Sequence, residues 1–197
     1  MDHFTLGTFP LTAAAVSTGT VALAEIGDKT QLLALLLAAR FRKPWPIVAG
    51  ILVATLLNHA LAAWFGTLVA QWLNPGVLRW VVAISFLAVA AWTLKPDKLD
   101  DEDGALPARG AFVATTIAFF LAEIGDKTQV ATVLLAAKYQ PYWEVVAGTT
   151  LGMLLANVPV VLLGSRLADR LPLKTARTVA AVVFLALGAW VAVRGLG

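Results

Sequence analysis

Hydrophobic residues along this chain gather in six blocks, roughly 12–39, 45–70, 77–94, 111–137, 143–165 and 175–194. Short stretches rich in charge and proline part them. A helix needs about 20 apolar residues to cross a hydrocarbon layer about 30 Å thick, and the blocks are of that order. A membrane barrel would instead show strands of about ten residues with alternating polarity, and no such alternation is present. The pattern therefore predicts six transmembrane helices. Pro10, Pro44, Pro46, Pro75, Pro96, Pro107, Pro141 and Pro172 stand at or near block boundaries, as suits a residue that cannot continue a helix. Pro159 lies inside the fifth block, where it predicts a kink.

The blocks repeat. Ala24-Glu25-Ile26-Gly27-Asp28-Lys29-Thr30-Gln31 recurs as Ala122-Glu123-Ile124-Gly125-Asp126-Lys127-Thr128-Gln129, an offset of 98 positions. The same offset, without a gap, pairs Trp45 with Trp143, Gly50 with Gly148, Gly66 with Gly164, Arg79 with Arg177, Phe86 with Phe184 and Trp92 with Trp190. The chain divides into a three-span unit (1–94), a linker (95–110) and a second three-span unit (111–197). Because each unit has an odd number of spans, the two must cross the membrane in opposite directions. The expected fold is an all-α integral membrane protein whose six transmembrane helices form two inverted three-helix repeats, an architecture of secondary transporters.

Composition agrees with a membrane protein. Of the 197 residues 59% are hydrophobic and 14% charged, and the mean hydropathy is +0.81, against about 25% charged in soluble domains. The chain has no cysteine, which excludes disulfides and thiolate metal ligands. Its net charge of +3 is no argument for nucleic acid, because the basic residues sit at helix ends. Arg40, Arg42, Lys43, Lys95, Lys98, Arg109, Arg166, Arg170, Lys174 and Arg177 fall on one side, and Arg79, Lys138 and Arg194 on the other. The positive-inside rule puts the larger set in the cytoplasm and both termini outside it. Met1-Asp2-His3-Phe4 lacks the basic start of a cleavable signal peptide and reads as part of the mature protein. The acidic run Asp97 and Asp100–Asp103 reads as a solvated connector in the cytoplasmic linker.

Gly-Asp-Lys-Thr has the composition of a surface turn. Such a turn, however, would split the first block into 12–24 and 32–39, and the fourth into 111–122 and 130–137, all too short to cross. Both copies must lie at membrane depth, in a helix or in a short break within one. A charge at mid-bilayer costs about 2.5–3.5 kcal/mol even on the lenient insertion scale, so six of them must face one another or water. On a continuous helix Glu25 and Asp28 share a face, with Thr18 and Gln31 close to it. Thr116, Glu123, Asp126 and Gln129 repeat the arrangement. Inversion would then gather four carboxylates near the midplane.

Such an oxygen-rich site suits hard cations such as Ca²⁺, Mn²⁺ or Mg²⁺. Glu25, Asp28, Glu123 and Asp126 are the candidate metal ligands, with Gln31, Gln129, Lys29, Lys127, Thr30, Thr128 and Asn157 as auxiliaries. Four carboxylates and two ammonium groups leave a formal −2 charge, which one divalent ion or two protons would neutralise. Mutually exclusive occupancy by either is what antiport requires. Lys29 reads equally as an internal counter-ion or as a side chain reaching for the interface. Gly27 and Gly125 permit a local break. Asn58, His59 and Asn157 read first as interhelical hydrogen-bonding residues, and the other glycines as packing positions. The tryptophans, mostly near block ends, read as an interfacial belt.

The twin Glu-x-Gly-Asp-Lys-Thr stretches, Glu25–Thr30 and Glu123–Thr128, resemble the small cation/proton exchanger family that includes the Golgi manganese/calcium exchangers of eukaryotes and bacterial manganese exporters. That family's pattern, Glu-x-Gly-Asp-Lys/Arg-Thr/Ser once per three-span half, is matched by both copies without departure. The resemblance implies export of a divalent cation, Mn²⁺ foremost and Ca²⁺ next, in exchange for protons, with Glu25, Asp28, Glu123 and Asp126 binding the ion. It implies no cofactor beyond the transported ions and a location in a bacterial inner membrane. The partners expected are the metal ion and the lipid bilayer, with no nucleic acid; self-association into a homo-oligomer stays open. Rival readings fit the residues less well, and the balanced charge arithmetic favours exchange over a passive channel. An exporter of amino acids or other small solutes needs a larger, less acidic cavity. An intramembrane aspartyl protease would place its two aspartates in different contexts, and here the contexts are identical. A non-transporting scaffold treats the charges as an internal salt-bridge cluster, which seldom stabilises.

Overall fold

The computed structural model describes residues 13–95, 110–139, 141–164 and 173–195. The acidic run of the linker, Met1–Phe4, and Lys98, Arg109, Arg166 and Arg170 lie outside the described residues. Among those described, eight helices follow one another: α1 (Ala13–Glu25), α2 (Lys29–Phe41), α3 (Pro44–Trp72), α4 (Pro75–Thr93), α5 (Ala111–Glu123), α6 (Lys127–Lys138), α7 (Tyr142–Leu163) and α8 (Leu173–Arg194). The protein is all-helical, as its hydropathy predicts. Four segments are long and apolar enough to cross a membrane: α3, α4, α7 and Arg177–Arg194 of α8.

The first and fourth blocks are not continuous helices. Each is divided at its motif into two pieces, of 13 and 13 residues in the first and 13 and 12 in the fourth. At 1.5 Å per residue each piece reaches only about 20 Å. The break is written into the sequence. Gly27 and Gly125 take left-handed backbone, φ 81° and 73°, which only glycine adopts without strain. Asp28 and Asp126 then serve as N-caps of α2 and α6, both with extended backbone, the position this side chain prefers. Pro159 lies inside α7 as expected.

Packing follows the 98-residue offset. α7 lies along α1 and α3 along α5. A Cβ on Gly148 would collide with the Ala14 carbonyl and approach Ser17; one on Gly50 would approach the Phe112 carbonyl and Thr115, the equivalent positions. These glycines bring the backbones close enough for small-residue helix packing. Phe86 of α4 and Phe184 of α8, again equivalent, stack with ring centroids 6.3 Å apart. Outward-facing side chains are large and apolar, Leu57, Leu61, Trp64 and Phe65 of α3 among them. All seven tryptophans are exposed. Buried positions, by contrast, include Glu25, Asp28, Asn58, His59, Glu123, Asp126 and Lys127. A soluble protein would not expose so much apolar area; lipid requires it.

Candidate ion-binding site

Both motifs fold locally in the same way. Glu25 is the last residue of α1 and Glu123 the last of α5, and each is fully buried. The chain turns back at once: the Asp28 amide donates to the Glu25 carbonyl at 3.0 Å, and the Asp126 amide to the Glu123 carbonyl at 3.1 Å. Inside the turn the Gly27 amide donates to Gln31 Oε1, and the Gly125 amide to Gln129 Oε1, both at 2.8 Å. The glutamines thus staple the breaks from within. Their amide nitrogens reach equivalent places on the opposite long helices. Gln31 Nε2 donates to the Ala156 carbonyl of α7 at 2.9 Å, and Gln129 Nε2 to Asn58 Oδ1 of α3 at 3.4 Å.

The threonines bind the motif acids. The Thr30 hydroxyl donates to Glu25 Oε2. The Thr128 hydroxyl lies 3.1 Å from Asp126 Oδ2 and 3.4 Å from Glu123 Oε2. Asp28 Oδ1 accepts from the Lys29 amide at 2.5 Å. Across the two motifs, Lys127 Nζ sits 2.5 Å from Asp28 Oδ2, with the lysine side chain 2% exposed and the aspartate not at all. Lys127 is therefore an internal counter-ion, and a charge pair so deep is retained only where desolvation is offset by close contact. Lys29 is half-buried.

One carboxylate oxygen from each of Glu25, Asp28 and Asp126 lies within 4.8 Å of the others. Two motifs contribute to this cluster, and all three side chains are buried. Glu123 stands beside it, within electrostatic reach of Glu25, Asp126 and Asp28, and its Oε2 is 3.7 Å from His59 Nε2. Among the described residues, Oε1 of Glu25 and Oε1 of Glu123 have no hydrogen-bond partner, and buried acceptors left in this way are costly. Oxygens spaced like these can close on one hard ion.

Several expectations need correction. Glu25 and Asp28 do not share a helix face, because the helix ends between them and the turn, not a helical face, brings their oxygens together. The hydroxyls of Thr18 and Thr116 donate back to the carbonyls of Ala14 and Phe112 within their own helices. Among the described residues the Asn157 amide makes no interhelical bond; it donates to the Met153 carbonyl and sulfur four residues back. Asn58 does bridge helices, to the Phe120 carbonyl at 3.0 Å. Two residues near the motifs have partners that the sequence does not indicate. His59 of α3 faces Glu123 of α5, with Nε2 3.7 Å from Oε2. Arg177, one of the basic residues expected on the cytoplasmic side, donates to the Gly27 carbonyl at 3.3 Å. The signal for both was a titratable side chain inside a hydrophobic block.

Comparison with known proteins bears on what such a site serves. The family described as "Divalent cation/proton antiporter GDT1" matches residues 13–101 and 111–197. The chain belongs to this family. Among its relatives, the "Putative manganese exporter" of Vibrio cholerae is 62% identical over 172 residues, 87% of this chain and 86% of that protein. The GDT1-like protein sll0615 of Synechocystis is 27% identical over 88% of this chain and 93% of its own length. GDT1-like protein 3 of Oryza sativa subsp. indica is 26% identical over 94% of this chain and 74% of that one. No solved structure matches. The match to a divalent cation/proton antiporter family agrees with the exchange activity that the motif resemblance implied.

Proposed function

We propose that this protein exports Mn²⁺ from the cytoplasm in exchange for protons, with Ca²⁺ as a second substrate, at a site formed by Glu25, Asp28, Glu123 and Asp126. The family match and the 62% identical relative support the activity. The observation that carries the site is the buried meeting of oxygens from both motifs within 4.8 Å. α1 with α2, and α5 with α6, would each make one crossing, giving six spans in two inverted units (1–94 and 111–197) joined by the linker 95–110. Both termini would face away from the cytoplasm of a bacterial inner membrane.

The chemistry follows from charge and burial. Metal in the cluster would be held by carboxylate oxygens, with Thr30 and Thr128 fixing the orientation of the glutamates. Gln31 and Gln129 would hold the breaks open to the ion. Asn157 Oδ1, buried with no partner among the described residues, would be the auxiliary oxygen on α7. Lys127 would stand in for part of the missing positive charge when metal leaves, and protons on the glutamates would supply the rest. Metal and protons then exclude one another, which couples their movements in opposite directions.

Proteoliposome flux tests this. Wild-type protein should move Mn²⁺ inward or outward with opposite proton movement, and Glu25→Gln or Asp126→Asn should abolish both while the protein still folds. Metal movement without counter-movement of protons would end the exchange reading. Full activity in either variant would end the site assignment.

A further inference from the structure

Arg79 and Arg177 occupy equivalent positions by the 98-residue offset, each near the start of its helix, α4 and α8. Each is half-buried and carries a buried Nε with no hydrogen-bond partner among the described residues. An arginine so placed in a membrane protein is costly, and here the two have different partners. Arg177 donates to the Gly27 carbonyl, in the break of the first motif, at 3.3 Å. Arg79 donates to the Ala192 carbonyl in the last turn of α8.

The offset gives each contact an equivalent that is not used here. Gly125 is the equivalent of Gly27, and Leu94 that of Ala192. Arg177 could thus hold either Gly27 or Leu94, and Arg79 either Gly125 or Ala192. Leu94 caps the end of α4, where helix carbonyls have no intrahelical partner. The surroundings of the two breaks differ accordingly. Ile26 and Gly27 are half-buried, while Ile124 and Gly125 are exposed. α8 packs on α1, the helix before the first break, whereas α4 packs on α6, the helix after the second.

We propose that Arg79 and Arg177 are alternating latches, positioning residues that hold the break of one motif at a time. The inference rests on reading the two motifs as the ion site. α4 and α8 are joined where Phe86 stacks on Phe184, so the pair rocks as a unit. A tilt that carries Arg177 onto Gly27 withdraws Arg79 from Gly125, and the opposite tilt reverses both. Holding the Gly27 carbonyl fixes the peptide plane that leads into Asp28, so the latch sets the geometry of a candidate ligand. A left-handed break is held by few bonds of its own, whereas a helix-end carbonyl belongs to a turn that the rest of its helix already holds. Losing an arginine therefore weakens the break it holds more than the helix end.

Hydrogen exchange on the intact, metal-free protein in lipid nanodiscs tests this, read on peptides covering 24–31 and 122–129. Wild type should exchange more slowly at the first motif than at the second. Arg177→Ala should raise exchange at the first motif about tenfold, the scale of one charge-assisted hydrogen bond, and lower it at the second. Arg79→Ala should move both motifs the other way, and the double variant should bring the two to similar rates. Arg177→Lys, which keeps a donor, should retain most of the wild-type pattern. Loosening of both motifs together, or no change in either, overturns the latch. If Arg177→Ala does not fold, Arg79→Ala decides by the same criterion. Calorimetric titration of wild type with Mn²⁺ judges the ion site separately: no binding would end that reading and leave the exchange pattern to judge the latch.

Discussion

Lys127 offers the sharpest test of the buried electrostatics. Its ammonium lies 2.5 Å from Asp28 Oδ2, and both side chains are out of solvent. Lys127→Met keeps the length and apolar stem of the side chain but takes the positive charge away. Removing one partner of a buried pair costs about 3–5 kcal/mol, because the remaining charge keeps its desolvation penalty. For a chain of this length that corresponds to a fall in melting temperature of roughly 6–20 °C. The formal charge of the four carboxylates and their lysines goes from −2 to −3, so Mn²⁺ should now stabilise the variant more than wild type. A hundredfold excess of metal over its Kd contributes about 2.7 kcal/mol, enough to recover half or more of the loss. The assay is thermal unfolding in detergent with and without Mn²⁺, alongside the double variant Asp28→Asn/Lys127→Met. Removing both charges should restore most of the stability while abolishing the metal response. A Lys127→Met protein that melts with wild type would refute the reasoning. So would a double variant no better than the single one.

The other predictions are narrower. Thr30→Val removes the donor to Glu25 Oε2 and leaves a buried acceptor, so stability should fall by about 1–3 kcal/mol and Mn²⁺ affinity should weaken; calorimetric titration reads the affinity. Gly152→Ala would bring a Cβ to 2.6 Å from the Thr18 carbonyl and 2.9 Å from the Ala22 amide, both backbone. The α1–α7 contact must open, at about 1–3 kcal/mol, and the folded fraction recovered by size-exclusion chromatography should drop. Gln129→Leu loses both the staple on the Gly125 amide and the bond to Asn58. It should slow metal exchange in proteoliposomes while leaving expression unchanged, and wild-type rates would show that the staple is dispensable.

Much of this protein is decided by short-range pattern. Hydropathy alone separates the long helices, since about 20 apolar residues are needed to cross the lipid core. Neither flank of either motif is long enough to span alone, which is what leads the sequence to place both motifs at membrane depth. The identical offset of Gly50 with Gly148 and Phe86 with Phe184 already announces a duplicated unit, and the structure packs those residues in equivalent contacts. Even the break is legible, since Gly-Asp offers a left-handed residue followed by an N-cap.

What the chain could not announce was who meets whom. Helical periodicity put Glu25 and Asp28 on one face, yet a single left-handed glycine ends the helix and makes Asp28 a cap, so the two oxygens meet across a turn. Lys127 crosses to the first motif's Asp28, Glu123 stands against His59, and Arg177 leaves the interface for the Gly27 carbonyl. Each of these partners is distant in sequence. Local sequence fixes the cost of burying a charge, but the partner that offsets the cost is chosen by which helices pack together, and that is a property of the tertiary fold.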